Sequence, residues 1–408
     1  MMQPSLRAFV LASTLVASTG AQSVPHVSQV PQPRLDLPPC AITAQTIASG
    51  LPDCSLGLAL GDGFAFIGYP DPTGGSVDVF MDVGGPYALV QTIVATPGLV
   101  NFGGVLYEDE RLFVFSRTEV SVYVESSGST WELLQILPFP GVTDIDGRRM
   151  VVATGLTQLE VRGRDVGGPD QWGVEATIDA PTVFSPNPQQ LQFLDAAIRG
   201  DVVLANTVTD IVHWFTALPV LFEENAGGPG AWGERFVSPP ARTDFAFATL
   251  GTDRAFVGTR AFAGQGPTDV VHGRNVGGAS TWGPTIHLPT FGSFNSGPAV
   301  IARDGWATRT GYKVFGGTGY ELGLYEERED VPGFPVIYLR GVVALPGFTS
   351  GIRMHETGLL TCIEDEVTGQ RDVVMLRWDG CASSDSATRR QGSSFPCPRT
   401  STPSVSRE

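Results

Sequence analysis

Residues 161–178 read VRGRDVGGPDQWGVEATI, and related stretches follow at 221–237 (LFEENAGGPGAWGERFV) and 271–288 (VHGRNVGGASTWGPTIHL). Each combines an apolar alternating segment, a polar turn with a double glycine, and a second alternating segment that begins at a tryptophan. Alternation with a period of two is typical of β-strands, and glycine-rich polar turns favour tight hairpins. The stretch therefore predicts a recurring β-hairpin. We expect the tryptophan to cover apolar surface near a neighbouring unit, and we place its equivalent in the first unit at Leu89.

A second kind of hairpin precedes the first one along the chain. Two apolar segments flank a short turn of Gly, Asp or Glu, as in DIDGRRMVVA at 144–153. Seven copies lie at 56–68, 103–115, 141–153, 195–205, 246–258, 299–310 and 351–362. The two hairpins together make a four-strand unit of roughly 40–50 residues, which is typical of a β-propeller blade.

The seventh unit lacks a fourth strand, because the chain after 372–380 becomes rich in Ser, Thr, Pro and Arg. The segment AITAQTIASG at 41–50 matches ALVQTIVATPG at 88–98 and can supply the missing strand. We therefore predict an all-β fold, a seven-bladed β-propeller over residues 40–381 that is closed by an N-terminal strand in the last blade. Closure removes the open sheet edge that three strands would leave.

The five cysteines are candidates for disulfides at this closure. Cys40 precedes the borrowed strand and Cys381 follows the last one, so we predict a Cys40–Cys381 disulfide. Cys40–Cys54 is a competing pairing that the sequence does not exclude. Cys54–Cys362 is also possible, with Cys397 in the tail, and the pairing of these three cysteines stays open.

The N-terminus predicts export. Residues 1–21 combine Arg7, an apolar run of about ten residues and a small-residue cleavage site, as in a secretory signal peptide. We expect a protein secreted to the extracellular space or periplasm, where disulfides form. We expect no transmembrane segment, a disordered linker at 22–39 and a disordered tail at 382–408.

Charge and motif content argue against several function classes. The net charge of −16 disfavours a nucleic-acid partner, which needs clustered Lys and Arg. The sequence contains no zinc-protease, P-loop or nucleophile-elbow motif, and its five histidines are scattered. We therefore expect no enzyme and no cofactor.

The segments GGPDQW, GGPGAW and GGASTW, together with DIDGRRMVVA and GDGFAFIG, resemble the FG-GAP-like repeats of exported bacterial proteins, relatives of the integrin α-subunit propeller. The resemblance covers about residues 41–381. It implies seven blades and a role in adhesion or ligand binding rather than catalysis. Integrin-type blades often carry a calcium cage, but the turns here offer few carboxylates, and Asp144 with Asp146 is the nearest approach. We expect no metal site.

Aromatic residues concentrate in the longer connections of the fourth to sixth units. The predicted partner-binding residues are His213, Trp214, Phe215, Phe262, Phe291, Phe294, Tyr312, Phe315 and Tyr320. Exposed aromatic patches mark interaction sites on rigid scaffolds. The alternative is that some of these rings fold back and cover the enlarged loops.

The sequence thus predicts a secreted, monomeric interaction module that binds an extracellular protein or glycan through these loops. One alternative is a structural or surface-coat component without a discrete ligand. Another is a propeller enzyme that acts on glycans. Converging carboxylates or arginines at a channel mouth would favour the enzyme, and a flat aromatic patch would favour binding.

Overall fold

The computed structural model describes much of the chain between residues 40 and 379. The described residues are 40–51, 53–54, 57–61, 63–69, 75–94, 102–116, 118–127, 129–139, 141–184, 188–208, 217–237, 246–251, 254–259, 269–275, 281–287, 296–301, 306–312, 320–331, 334–355, 358–365 and 368–379. The predicted signal peptide, linker and tail lie outside these residues.

The described part of the chain is all-β and forms four-stranded antiparallel sheets, which we number in chain order. The first strand of the chain is β1 (Ala41–Leu51). Sheet 1 contains β2 (Leu58–Gly61), β3 (Phe64–Tyr69), β4 (Ser76–Asp82) and β5 (Tyr87–Val94). Sheet 2 contains β6 (Phe102–Glu108), β7 (Arg111–Ser116), β8 (Val120–Ser127) and β9 (Thr130–Leu137). Sheet 3 contains β10 (Val142–Asp146), β11 (Arg149–Ala153), β12 (Gln158–Arg164) and β13 (Trp172–Asp179).

The next sheets follow the same order. A short ribbon of β14 (Thr182–Phe184) and β15 (Pro188–Gln190) precedes sheet 4, which contains β16 (Gln192–Arg199), β17 (Val202–Val208), β18 (Ala217–Glu224) and β19 (Trp232–Val237). Sheet 5 contains β20 (Ala246–Leu250), β21 (Arg254–Thr259), β22 (Asp269–Arg274) and β23 (Trp282–His287). Sheet 6 contains β24 (Ser296–Ile301), β25 (Trp306–Tyr312), β26 (Tyr320–Val331) and β27 (Phe334–Leu345).

Sheet 7 joins the two ends of the described chain. It contains β28 (Phe348–His355), β29 (Gly358–Glu364), β30 (Arg371–Asp379) and, as its fourth strand, β1. β1 runs antiparallel to β30, with Ala41 opposite Asp379 and Gln45 opposite Met375. The N-terminal strand therefore occupies the position in which the sequence places it.

Neighbouring sheets contact each other through their first strands. The contacting pairs are β2 with β6, β6 with β10, β10 with β16, β16 with β20, β20 with β24, β24 with β28, and β28 with β2. The series of contacts runs from sheet 1 to sheet 7 and returns to sheet 1. A search of the described residues finds no helical segment with the length and hydropathy of a membrane span.

The apolar core lies between the sheets rather than at one centre. One buried cluster, for example, combines Phe66 and Val79 of sheet 1 with Leu112 and Val114 of sheet 2. Another combines Leu58 and other residues of sheet 1 with residues of sheet 7. Sheet 1 thus uses both faces for burial, which explains why its strands read as continuous apolar runs rather than as a strict alternation.

The turn in the opening stretch depends on its acidic or amide first residue as well as on its glycines. Asp165 and Asn225 both adopt positive φ, at 76° and 67°. The Oδ1 atom of Asp165 accepts a hydrogen bond from the Asp170 amide at 2.7 Å, and Asn225 does the same for Gly230 at 2.7 Å. Asp and Asn tolerate this backbone region and can cap their own turns. The sequence RDVGGPD therefore specifies a self-capped hairpin loop.

The recurring tryptophan packs on the preceding sheet, as the sequence predicts. Trp131 is 3% exposed, and its ring lies edge-on to Phe64 and Phe66 with centroid distances of 5.5 and 5.1 Å. Trp172 packs edge-on against Phe113 of the sheet before it. Such aromatic pairs add to the free energy gained from area burial. These tryptophans are therefore part of the core.

The sequence analysis placed the tryptophan equivalent of the first unit at Leu89, which is two residues too far along the chain. A β-bulge leaves Leu134 of β9 unpaired, because Val122 pairs with Gln135 and Tyr123 with Leu133. The same bulge in sheet 1 falls at Val90. Since Trp131 lies three residues before its bulge, its equivalent is Tyr87. Leu89 is instead 54% exposed.

A glutamine on each of two fourth strands holds the backbone of the next sheet. The side chain of Gln91 accepts a hydrogen bond from the Trp131 amide at 2.7 Å and donates one to the Trp131 carbonyl at 3.0 Å. Gln45 of β1 accepts one from the Tyr87 amide at 3.4 Å. β1 of sheet 7 therefore contacts the backbone of sheet 1 through a glutamine, just as β5 of sheet 1 contacts the backbone of sheet 2.

Arginines also connect consecutive sheets. Examples are the pairs Arg377–Asp82 at 2.6 Å, Arg164–Asp109 at 2.8 Å and Arg149–Glu224 at 2.8 Å. The planar guanidinium holds its N–H donors in a fixed fork that fits a carboxylate. A lysine ammonium on a flexible stem lacks this geometry. The abundance of arginine in this sequence therefore has a structural role, because arginine side chains pair with carboxylates across the boundaries between sheets.

One disulfide among the described residues joins sheet 7 to the segment that leads into sheet 1. Cys54 is bonded to Cys362, with a Cα–Cα distance of 5.8 Å, which excludes the Cys40–Cys54 alternative. Cys40 is also disulfide-bonded. Cys381 lies outside the described residues, so the Cys40–Cys381 pairing stays a prediction. The pairing of Ala41 with the residue two positions before Cys381 supports it.

The glutamine contact generates a first prediction. Gln91→Leu removes both side-chain hydrogen bonds to Trp131 and leaves its backbone groups without those partners. We expect the free energy of unfolding to fall by about 1–3 kcal/mol, measured by urea denaturation. Gln370→Leu, at an exposed residue of a loop, is the control. Equal stability of the two variants would contradict the proposed contact.

The cysteine geometry generates a second prediction. Peptide mapping without reduction should recover Cys54 linked to Cys362 and Cys40 linked to Cys381. The double change Cys54→Ser and Cys362→Ser should lower the free energy of unfolding by about 2–5 kcal/mol, because the crosslink constrains the unfolded chain. Cys397→Ser should leave thermal unfolding unchanged, and a large loss in that variant would overturn the assignment.

Candidate functional site

The described residues include only a small part of the predicted aromatic surface. Seven of its nine residues lie outside the described ranges: His213, Trp214, Phe215, Phe262, Phe291, Phe294 and Phe315. Tyr312 ends β25 and pairs with Tyr320, the first residue of β26. Tyr320 is partly buried and packs against an apolar cluster that includes Leu322 and Leu345. Tyr320 therefore has a packing role, and the other aromatic residues remain predictions.

A group of charged residues on first strands is a second candidate. It consists of Asp144 on β10, Asp195 and Arg199 on β16, and Arg353 on β28, and we call it the central charged cluster. The sequence analysis did not select three of these four residues. Their signal was visible in DAAIRG (195–200) and GIRMHE (351–356), where charges interrupt strands that are otherwise largely apolar.

The register places these residues on equivalent faces of their strands. Asp146 forms the last pair of the hairpin in sheet 3, and Asp144 lies two residues before it. Arg353 likewise lies two residues before the last pair of its hairpin. Asp195 lies four residues before Arg199, which forms the last pair in sheet 4. Because side chains alternate along a strand, even offsets select one face.

The side chain of Asp144 binds the neighbouring sheet 4. Its Oδ2 atom accepts hydrogen bonds from the Ile198 amide at 2.9 Å and from Arg199 Nη1 at 2.7 Å. Asp146 accepts one from the Gly200 amide at 2.5 Å. Asp144 and Asp146, which most resembled a calcium-binding turn in the sequence, therefore bind the first strand and the turn of sheet 4.

Asp195 is the less constrained carboxylate. Its Oδ1 atom accepts a hydrogen bond from the amide of Ala196 at 2.8 Å. The side chain is accessible to solvent, but protein surrounds it, and this desolvation raises its pKa to about 6. The charge of Asp144 acts in the same direction, while the Ala196 amide and Arg353 oppose it.

Arg353 is the cation of the cluster that has no ion-pair partner among the described residues. Its Nη1 atom donates to the carbonyl of Ile352 at 2.9 Å. Within the part of the chain that the structure describes, no carboxylate lies within ion-pair distance of Arg353. Burial lowers the pKa of its guanidinium, and the charges of Asp144 and Asp195 oppose that effect. Arg353 nevertheless remains exposed to solvent, as Asp195 does, so water can reach its guanidinium.

Arg199 is the paired cation of the cluster. Desolvation acts to lower the pKa of its guanidinium, but the carboxylates of Asp144 and Asp146 outweigh it, so the net shift is upward. The cluster therefore contains one satisfied Asp–Arg pair and, beside it, a carboxylate and a guanidinium that interact only through space.

Comparison with known proteins supports the fold and does not extend to function. No protein-family model and no curated protein matches the sequence. The WD40 domain of coronin from Toxoplasma gondii aligns with a TM-score of 0.52 and 9% identity, over 86% of this chain and 88% of that chain. Sqt1 from Chaetomium thermophilum aligns with a TM-score of 0.45 and 11% identity, over 78% and 82%. The coronin alignment supports a propeller-like fold, and the FG-GAP resemblance stays a prediction.

The environment of Asp195 generates a third prediction. Because its folded pKa is raised above the ordinary value of 3.8, the folded state holds this proton more tightly than the unfolded state. The ionised carboxylate therefore lowers stability as pH rises from about 4 through 6. Asp195→Asn should raise the melting temperature at pH 7.5 and have little effect at pH 4.

Thermal unfolding of wild type and variant at both pH values tests this. Taking the difference between wild type and variant cancels the titrations that both proteins share. Glu132→Gln, at an exposed carboxylate of β9, is the control and should show no such pattern. A gain for Asp195→Asn that is the same at pH 4 would show that ionisation is not its cause.

Proposed function

We propose that this chain is an exported binding module built as a closed seven-bladed propeller, with β1 completing the last blade, and that its partner is an extracellular protein or glycan. The first strands contact each other in series from sheet 1 to sheet 7. The contact of β28 with β2, which completes this series, supports the closed ring. The buried cluster shared by sheets 7 and 1 supports it as well. The motifs quoted above are the support for an FG-GAP-like affiliation and for export.

The central charged cluster carries the proposal. In a closed ring the first strands line the centre, so Arg353 and Asp195 face a common space from different blades. Asp195 lies near the end of sheet 4 at which β16 begins. Gln192 at that end pairs with Val208, the residue from which one aromatic-rich connection departs. A ligand that enters from this end can meet the aromatic loops and the cluster together.

A glycan-cleaving enzyme is the second candidate. The raised pKa of Asp195 favours it, since a carboxyl that stays protonated near neutral pH can act as a general acid. Glycosidases ordinarily use two carboxyl groups. Asp144 is already bound by Ile198 and Arg199. This leaves one carboxyl of the central charged cluster, Asp195, for acid chemistry and makes binding the better-supported function.

A glycan array and a panel of purified extracellular matrix proteins test the proposal with the mature protein, residues 22–408. We expect retention by at least one glycan or protein. The double change Trp214→Ala and Tyr312→Ala should weaken it by at least about tenfold, because aromatic residues dominate binding surfaces. Leu156→Ala, at an exposed side chain on another connection, should leave retention unchanged.

Three other outcomes separate the alternatives. Retention by none of the glycans or proteins would overturn the binding function. Retention that is equal in the double variant would remove the aromatic loops from the site. Release of shortened glycans, detected by mass spectrometry and abolished in Asp195→Asn, would establish the enzyme instead.

A further inference from the structure

The outer strands of the first two sheets expose large aliphatic side chains at the same two positions. In sheet 1 these are Leu89 and Val90 of β5, which are 54% and 38% exposed. In sheet 2 they are Leu133 and Leu134 of β9, at 47% and 45%. Val90 and Leu134 are the unpaired residues of their bulges, so the positions are equivalent. Single exposed aliphatic residues are ordinary on a protein surface, whereas a group of them indicates a contact surface.

Later sheets show that the fold does not require aliphatic residues at these positions. The bulge of sheet 3 leaves Glu175 unpaired, beside the aliphatic Val174, and the bulge of sheet 4 leaves Arg235 unpaired. The residue before the sheet 4 bulge is Glu234, which is exposed. Since the same backbone positions accept charged residues in sheets 3 and 4, the aliphatic pairs of sheets 1 and 2 point to a role outside the sheet.

The two aliphatic pairs lie on neighbouring strands. Gln91, which follows the bulge of sheet 1, makes the two hydrogen bonds to the Trp131 backbone, and Leu133 lies two residues further along β9. Ile136 is 42% exposed and points to the sheet 1 side of β9, because Leu137 after it enters the core shared with sheet 3. We give the name outer apolar patch to Leu89, Val90, Leu133, Leu134 and Ile136.

The strands around the outer apolar patch carry acidic residues and no basic residue. β4, β5, β8 and β9 contain Asp78, Asp82, Glu125 and Glu132, and none of these strands contains Lys or Arg. Asp82 is paired with Arg377, whereas Glu125 and Glu132 are exposed. Proteins commonly place charged side chains, lysine above all, on an open sheet edge to prevent pairing with another chain. β5 contains no charged residue, so its edge lacks that protection.

We propose that the outer apolar patch docks an extended, cationic segment of a partner polypeptide. Aliphatic side chains of the segment lie on the patch, and its Lys or Arg side chains lie near Glu125 and Glu132. β5 and β9 are each the last strand of a described sheet, and a segment that adds to such an edge gains main-chain hydrogen bonds as well. The inference goes beyond the proposed function, because this surface is separate from the aromatic loops and from the central charged cluster.

The chemistry of the patch favours this partner over a second copy or a glycan. A second copy would bring another chain of net charge −16 against an edge that is itself acidic. A glycan would place hydroxyl groups against aliphatic side chains that offer them no hydrogen bond. A cationic segment with aliphatic side chains buries apolar area on the patch and complements its charge.

A displayed library of random peptides of about ten residues, the length of a long strand, tests the proposal on the mature protein. We expect the selected peptides to alternate aliphatic residues and to contain more Lys and Arg than Asp and Glu. The double change Leu133→Ser and Leu134→Ser should weaken the binding of a selected peptide by at least about tenfold in fluorescence anisotropy, because buried apolar area is lost. Val342→Ser, at a side chain of sheet 6 that is 44% exposed, is the matched control and should bind as wild type does.

A charge reversal tests the cationic part of the proposal. Glu132→Lys should weaken the binding of a selected peptide at low salt and have less effect at high salt, because salt screens interactions between exposed charges. Glu234→Lys, at an exposed acid on the outer strand of sheet 4, changes the net charge equally and should leave binding unchanged. Equal losses in both variants would mean that net charge alone attracts the peptide, which would contradict the assigned site.

A second double change, Leu89→Ser with Val90→Ser, repeats the test on β5 if the first variant does not fold. Selection of no peptide, or equal binding by wild type and the folded double variants, would overturn the inference. Sedimentation that shows a dimer of wild type and a monomer of the double variants would also overturn it, because the patch would then join two copies of this chain.

The failure of this inference differs from the failure of the proposed function. A protein that is retained on glycans or matrix proteins, but selects no peptide, would keep the proposed function and lose the outer apolar patch as a site. A protein that binds selected peptides through the patch, but is retained by no glycan or matrix protein, would keep the patch and lose the proposed function.

Discussion

The packing of each four-stranded sheet against its two neighbours is the interaction on which the described structure depends. Apolar side chains on both faces of sheet 1 enter buried clusters, one shared with sheet 2 and another shared with sheet 7. A single sheet of this kind cannot bury both faces alone, so its stability comes from its place in the series. The tryptophans, Gln91 and the inter-sheet arginines all act at these same boundaries.

The repeat made much of this architecture predictable. Hairpin turns, strand order and the transfer of β1 to sheet 7 follow from local patterns that recur along the chain. The position of Tyr87 was missed because sequence alignment treats the strand as regular, whereas the bulge at Val90 inserts an unpaired residue. A bulge depends on how two strands pair and leaves little trace in either strand alone.

The candidate site was much less predictable than the fold. A charge in an apolar strand, such as Asp195 or Arg353, reads as an irregularity when each strand is considered alone. Its meaning depends on which other strands face it, and β16 and β28 are separated by about 150 residues. Asp144 shows the same limit, because its turn suggested a weak calcium motif and its carboxylate instead binds Ile198 and Arg199.

The two halves of the central charged cluster carry different energetic consequences. The Asp144–Arg199 pair has hydrogen bonds that compensate for its removal from water, and it links two sheets. Asp195 and Arg353 remain exposed to solvent, and the described residues show no direct contact between them. Each charge influences the pKa of the other side chain, so the two lie near one another. Charged side chains that are accessible and not bound to each other are available to an incoming ligand. This difference between the paired charges and the accessible ones is the physical reason to look for the function at the centre of the first strands.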